Sequence, residues 1–221
     1  MQLTDQLHAF IWESYTENNC NTYLIDGPTR ILIDPGHIRL FDPVQRGLAN
    51  LGLTVDDIGL VVCTHAHPDH IEAVQLFKET TALIAIHERE WQLVKEMEKH
   101  ISASMGVDLE AITPDFFLKE GDFSVQTLSF KVFHSPGHSP GSATLYWVDQ
   151  KALFTGDVIF KESVGRTDLP GGNGSALKES IRQLQTLDVE WLLSGHGEVV
   201  AGSKAVQENF DQVVNYWFNY I

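Results

Sequence analysis

A short polar stretch directly after an apolar run constrains this chain more than any other part of its sequence. The apolar run, Ile58 to Cys63, is rich in β-branched residues and predicts a buried strand. Residues 64–70 then read Thr-His-Ala-His-Pro-Asp-His. Histidine and aspartate are ligands that Zn²⁺ and similar divalent metals prefer. Because a metal site tolerates little positional error, we expect the strand end to hold these groups in a turn. The candidate ligands are His65, His67, Asp69 and His70.

The rest of the chain alternates predicted strands with predicted helices, which indicates the α/β (α+β) class. Asp26-Gly27-Pro28 is a strong turn signal and predicts a hairpin of two strands around it. The spacing of Phe41 to Leu51 predicts a helix with Asp42 as its N-cap, and Ile71 to Lys78 predicts a short one. No linker is evident between these elements, so we expect a single domain over residues 1–221.

Three further strand-to-loop junctions carry metal-type ligands. His138 lies in a loop with two Pro-Gly pairs, Asp157 follows the predicted strand Ala152 to Thr155, and His196 follows the predicted strand Glu190 to Leu193. Polar residues at the ends of buried strands are where α/β proteins place their chemistry. Together with the first four, these residues are enough for two adjacent metal sites. One feasible division gives His65, His67 and His138 to one metal, Asp69, His70 and His196 to the other, and Asp157 to both.

The order of these motifs resembles the metallo-β-lactamase superfamily. The motifs are His-x-His-x-Asp-His, Pro-Gly-His, Thr-Gly-Asp and Ser-Gly-His-Gly, and the resemblance runs from the Asn21 strand through Gly197. It implies an αβ/βα four-layer sandwich with the metals at one edge and the ligand division just given. It also implies that Asp34 orients a ligand histidine, which fixes the tautomer of that histidine and raises its basicity.

The segments around three of these motifs are most similar to glyoxalase II-like hydrolases. These segments are residues 133–142, 155–160 and 165–172, and the last resembles the short bacterial members of that group. Its Gly-Arg-Thr-Asp sequence is also shared with the persulfide dioxygenases. The resemblance therefore implies a hydrolase of small thioesters, of the S-lactoylglutathione type.

The chemistry of such a site suits a thioester. Two metals would lower the pKa of a bridging water to about 7 and so supply hydroxide at neutral pH. A thiolate leaving group has a pKa of about 8.5 and departs without a general acid. We expect two divalent metal ions, with zinc as the first candidate and iron or manganese as alternatives. Asp69 would orient the nucleophile, and Arg166 would bind a substrate carboxylate or pair with Asp168.

Three alternatives remain open. The first is a persulfide dioxygenase with one iron held by His65, His67 or their neighbours, His138 and Asp157. The second is a lactonase, since the same site would open a strained ester. The third is a metal-stabilised binding module without turnover.

Charge and cysteine content limit the partners. Lys and Arg number 15 against 30 for Asp and Glu, so the formal net charge is −15. An acidic surface repels polyanions, which argues against nucleic-acid binding. The two cysteines do not form a disulfide framework, and the N-terminus has no signal-peptide pattern. We expect a cytoplasmic monomer or homodimer that acts on a small molecule and binds no membrane.

Four other polar residues near these motifs have simpler interpretations. The sequence favours a surface or supporting role for His87 and His100 and a structural role for His134. For Glu72 it favours a solvated helix position, with a substrate contact as the alternative.

Overall fold

The computed structural model describes residues 1–14, 16–97 and 108–221. The chain divides into two compact units, Met1–Phe117 and Leu118–Ile221. The expected single domain over residues 1–221 stays a prediction.

The first unit is built on a six-stranded sheet. Its strands, in spatial order, are β1 (Leu7–Phe10), β2 (Thr22–Ile25), β3 (Ile31–Ile33), β4 (Leu60–Val62), β5 (Leu83–His87) and β6 (Phe116–Leu118), the last of which crosses the boundary between the units. β1, β2 and β3 pair antiparallel, as the predicted hairpin requires, whereas β3, β4 and β5 pair parallel. Because parallel strands end at the same edge of a sheet, the residues that follow β3 and β4 lie close together.

Among its described residues, the first unit has three helices: α1 (Asp42–Asn50), α2 (Pro68–Ile71) and α3 (Glu88–Glu96). Short 3₁₀ segments cover Ile38–Leu40, Val55–Asp57 and Glu72–Phe77. The N-cap of α1 is Phe41, one residue before the predicted Asp42, whose carboxylate pairs with Arg46 one turn on. The core contains Leu24, Leu32 and Val61 from the sheet, each fully buried. Each such side chain stabilises the fold by about 1.5–3 kcal/mol relative to exposure.

The second unit is built on another six-stranded sheet. Its strands, in spatial order, are β14 (Val200–Ala201), β13 (Trp191–Ser194), β10 (Ala152–Gly156), β9 (Ala143–Trp147), β8 (Leu128–His134) and β7 (Gly121–Val125). β10 and β13 are parallel, while β8 and β9, and β9 and β10, are antiparallel. β8, β10 and β13 therefore end at one edge of the sheet. A small antiparallel hairpin, β11 (Ile159–Phe160) with β12 (Ser163–Val164), follows β10.

Two helices, α4 (Gly174–Leu184) and α5 (Ser203–Trp217), belong to the second unit. Asn173 caps α4, because its side-chain oxygen accepts a hydrogen bond from the Ala176 amide at 2.9 Å. Leu177 and Ile181 of α4 and Phe210 of α5 share one buried core cluster. In the part of the chain that the structure describes, no helix is long and apolar enough to cross a membrane.

Candidate metal centre

The four clustered candidate ligands of the first unit lie between the end of β4 and the end of α2. His65 follows the strand, and His67 is the N-cap of the helix. Pro68 occupies the first helical position, where its fixed backbone angle and missing N–H carry no cost. Asp69 and His70 therefore belong to the helix. This corrects the predicted turn, because the helix begins three residues before the predicted Ile71.

The imidazoles of this segment pack against one another. The ring centroid of His65 lies 4.0 Å from that of His70 and 4.7 Å from that of His67. His65 and His70 are fully buried, and Asp69 is 8% exposed. Burying polar groups is costly unless they have hydrogen-bond or metal partners, so each of these buried side chains needs such a partner.

Asp34, directly after β3, orients two of these rings. Its Oδ2 accepts a hydrogen bond from His70 Nδ1 at 2.9 Å and another from the Thr64 hydroxyl at 2.7 Å. An ionised carboxylate only accepts, so the Thr64 hydroxyl must donate to it. The Thr64 oxygen can then accept from His65 Nδ1, which lies 3.1 Å away.

These contacts determine where the protons lie. His70 and His65 both carry a proton on Nδ1, held by Asp34 directly or through Thr64. In a neutral imidazole the other nitrogen, Nε2, then carries a lone pair in place of a proton, which is the form that binds a metal. The predicted pairing of Asp34 with a ligand-type histidine is present, and Thr64 extends it to a second ring.

The backbone at Asp34 is held in an uncommon conformation. Its φ is +52°, in the left-handed region. The Asp34 amide donates to the Val62 carbonyl at 3.0 Å, and the Asp34 carbonyl accepts from the Thr22 hydroxyl at 2.7 Å. These bonds to β4 and β2 hold the conformation that directs the carboxylate toward Thr64 and His70.

Glu90 contacts the centre of the His-Ala-His segment, which the sequence did not indicate. Its Oε2 accepts a hydrogen bond from the Ala66 amide at 2.9 Å, and the whole residue is buried. Because Ala66 lies between His65 and His67, this bond fixes the peptide that positions both rings. Glu90 is on α3, 24 residues further along the chain.

Other polar residues of the first unit have structural partners. Glu72 pairs with His37 and is largely buried, so the predicted solvated position is wrong. The ring of His87 caps α3 by accepting from the Arg89 amide at 3.2 Å, a supporting role as expected. His100 lies outside the described residues.

Three ligand-type residues of the second unit converge after β8, β10 and β13. Asp157 Oδ2 lies 3.5 Å from His138 Nε2 and 3.3 Å from His196 Nε2. His138 Nδ1 donates to the Arg166 carbonyl at 2.8 Å, so its Nε2 also carries a lone pair in the neutral ring. His134, four residues earlier, bonds the Pro140 carbonyl at 3.0 Å through Nε2, consistent with a structural role.

These distances fit a metal-binding arrangement. With metal–nitrogen and metal–oxygen bonds of about 2.0–2.1 Å, tetrahedral ligands lie about 3.3–3.4 Å apart. The two separations from Asp157 are close to that value. The two histidine nitrogens of this unit therefore lie at the spacing from the Asp157 carboxylate that metal ligands have. This set of donors fits a divalent metal.

A close backbone approach holds this group in place. A Cβ on Gly165 would lie 1.8 Å from the Asp157 carbonyl oxygen and 3.1 Å from the ring of His138. Only glycine fits at this position, so the chain directly after the second strand of the small hairpin can pack against two of the ligand-type residues.

Arg166 and Asp168 form a two-point ion pair at the surface. Arg166 donates from Nε to Asp168 Oδ1 at 2.7 Å and from Nη2 to Oδ2 at 2.8 Å. Hydrogen bonding to Arg166 lowers the pKa of Asp168 to about 2. Of the two interpretations of Arg166, this structure contains the internal pair. The pair uses two of the five N–H groups of the guanidinium.

Comparison with known proteins assigns the family. The model of the metallo-beta-lactamase superfamily matches residues 15–196, and the chain belongs to that superfamily. A probable metallo-hydrolase of Methanocaldococcus jannaschii is 32% identical over 185 residues, covering 81% of this chain and 88% of that protein. A hydroxyacylglutathione hydrolase, GloC, of Haemophilus influenzae is 28% identical over 187 residues, covering 82% and 86%.

Solved structures give the same result. A B3 metallo-beta-lactamase, BLEG-1, matches with a TM-score of 0.74 at 28% identity, covering 95% of this chain and 97% of that one. A protein solved in a di-iron-bound form matches with a TM-score of 0.70 at 30% identity, covering 86% and 93%.

These findings confirm the family and the α/β (α+β) metallo-β-lactamase fold. Membership supports a metal-dependent hydrolase, and the histidine and aspartate donors suit divalent metals.

Proposed function

We propose that this protein hydrolyses small thioesters of the S-lactoylglutathione type with two bound divalent metal ions. Zinc is the first candidate for these ions. The observation that carries the proposal is the placement of Asp157, whose Oδ2 lies 3.3 and 3.5 Å from the Nε2 atoms of two histidines. The similarity to the hydroxyacylglutathione hydrolase of Haemophilus influenzae supports the substrate class.

The proposed ligands are the seven residues that the motifs indicate. They are His65, His67, Asp69, His70, His138, Asp157 and His196. In His65, His70 and His138 the Nδ1 proton is held by an acceptor, which leaves the Nε2 lone pair for a metal. The di-iron form of a related protein supports two ions per chain. The assignment of ligands to each ion follows from the family resemblance alone.

The bound ions would supply a water with a pKa near 7 and positive charge for a developing oxyanion. The chain itself needs no general acid, because a thiolate with a pKa of about 8.5 leaves unprotonated. Asp69 would accept a hydrogen bond from the attacking water and orient it. Arg166 keeps three N–H groups beyond its pair with Asp168, and we propose that they bind a carboxylate of the thiol carrier.

We further propose a cytoplasmic setting and a small-molecule substrate. Cys20 and Cys63 are both buried thiols, as a reducing compartment allows. The net charge of −15 disfavours polyanionic partners.

Kinetics of an Asp157→Asn variant test the proposal. The amide cannot provide two anionic oxygens, so we expect kcat/KM for S-lactoylglutathione to fall by more than about 100-fold and bound metal to decrease. Asp149→Asn is the matched control, because Asp149 is exposed in the turn between β9 and β10. Equal activity of the native protein and the Asp157→Asn variant would contradict the assignment.

The same assays separate the alternatives. Oxygen uptake with glutathione persulfide, without thioester hydrolysis, would indicate the dioxygenase. Faster opening of a lactone ring than of a thioester would indicate the lactonase. Unfolding on chelation, with no turnover of any of these substrates, would indicate a binding module.

A further inference from the structure

The connection between β1 and β2 contacts the ligand segment of the first unit through Asn18 and Cys20, and the residue between them contacts the loop after β3. We call these residues, 18–20, the 18–20 strap. Asn18 Nδ2 donates to Asp69 Oδ2 at 2.6 Å. The Cys20 amide donates to the Asp69 carbonyl at 3.3 Å. The side chain and the backbone of Asp69 are thus both held from the same strap.

The orientation of the Asn18 amide is determined by its partner. An ionised carboxylate only accepts hydrogen bonds, so the NH₂ group of Asn18 must face Asp69. Asn18 itself is exposed, while Asp69 is 8% exposed. A surface residue therefore contributes the donor that holds a buried carboxylate.

The strap is fixed by further bonds to the Asp34 loop. Asn19 Oδ1 accepts from the His37 amide at 2.8 Å, and the Cys20 thiol donates to the Asp34 carbonyl at 3.3 Å. A Cβ on Gly36 would lie 2.6 Å from Asn19 Oδ1, so the approach is as close as glycine allows. The strap therefore packs against the loop that orients His70.

The connection is also braced on its outer side. Trp12 Nε1 donates to the Glu17 carbonyl at 2.8 Å, and the Glu17 amide donates to Ser14 Oγ at 3.2 Å. Arg39 pairs with the Glu17 carboxylate at 2.5 Å. These contacts flank Asn18 and limit its freedom to move away from Asp69.

We infer that Asn18 is a positioning residue that holds Asp69 Oδ2 and directs Oδ1 toward the metal. A neutral amide suits this role, because it orients the carboxylate without cancelling the negative charge that a cation needs. A lysine or arginine in its place would compete with the metal. The inference rests on the proposed metal centre and adds a residue from outside the family motifs.

Metal titration of the metal-free protein tests the inference. In Asn18→Ala, Asp69 loses this donor and can rotate, so we expect the Zn²⁺ affinity of one site to fall about 10–100-fold by calorimetry. The visible bands of the Co²⁺-loaded variant should also shift. Asn18→Gln, which keeps the amide donor, should recover part of both. Thr16→Ala, on the exposed part of the same connection, should leave both unchanged.

The outcomes are distinct from those of the thioesterase test. Unchanged Zn²⁺ affinity and Co²⁺ bands in Asn18→Ala would overturn the positioning role, even if the native protein hydrolyses thioesters. An equal loss in Thr16→Ala would also overturn it, because the effect would then belong to the connection as a whole. Absence of thioester turnover in the native protein would remove the proposed substrate and leave the titration result standing.

Discussion

A buried imidazole binds a metal only through a nitrogen that carries no proton, so the position of its proton matters as much as the position of its ring. Asp34 fixes the position of the ring proton in two histidines, directly in His70 and through the Thr64 hydroxyl in His65. The backbone carbonyl of Arg166 does the same for His138. The rings are thus oriented by hydrogen-bond acceptors before any metal binds.

Glu90 provides a prediction at the residue scale. Its replacement by alanine would leave the buried Ala66 amide without this acceptor, which costs about 1–3 kcal/mol. We expect the free energy of unfolding of the metal-free protein to fall by about that amount in Glu90→Ala. Urea denaturation measures it. In Glu90→Gln, which keeps an acceptor oxygen, the loss should be smaller.

Glu88→Ala is the control for this experiment, since Glu88 is exposed in the first turn of the same helix. A similar loss of stability in both alanine variants would attribute the effect to helix α3 in general and contradict the role of the Ala66 bond.

Local sequence reveals some of these residues and not others. His65, His67, Asp69 and His70 stand together after an apolar strand, so a short window is enough to find them. Glu90 and Asn18 contact this segment from 24 and 51 residues away. Hydrogen bonds between distant segments leave no periodicity in the sequence, and a single glutamate or asparagine on a surface helix or loop is unremarkable.

At the scale of elements, the sequence predicts the strands better than it predicts where elements begin and end. Short apolar runs identify β3, β4 and β10, because buried strands need apolar side chains. The start of α2 differs from the prediction because His67-Pro68-Asp69 also suits a turn, although proline favours the first helical position. β12 escapes prediction because only two residues pair there.

The small hairpin provides a prediction at the element scale. In Gly165→Ala the new Cβ would overlap the Asp157 carbonyl oxygen, and either β12 or Asp157 must move. We expect a loss of about 1–3 kcal/mol in stability and a decrease in bound metal, since overpacking displaces the backbone. Thermal unfolding and elemental analysis measure the two effects.

Gly52→Ala is the control substitution for Gly165→Ala. Gly52 has a φ of +73°, and no heavy atom lies within 4 Å of the position that a Cβ would take, so its replacement strains the backbone without overlap. Retention of native metal content in Gly165→Ala would show that the hairpin does not hold Asp157.

At the scale of the whole molecule, the candidate ligands are divided between two compact units. The first unit supplies three imidazoles and a carboxylate, and the second supplies two imidazoles and a carboxylate. The family and its fold were predictable because the motifs occur in a characteristic order along the chain. The substrate was not, because substrate recognition depends on individual surface side chains, and the candidate Arg166 is paired with Asp168 in this structure.

The most direct test of the account is the metal content of protein purified without chelators, measured by elemental analysis together with hydrolysis of S-lactoylglutathione. The account predicts about two divalent ions per chain and turnover that is lost on chelation and restored by added Zn²⁺. One iron per chain, with oxygen uptake on glutathione persulfide and no thioester hydrolysis, would contradict it.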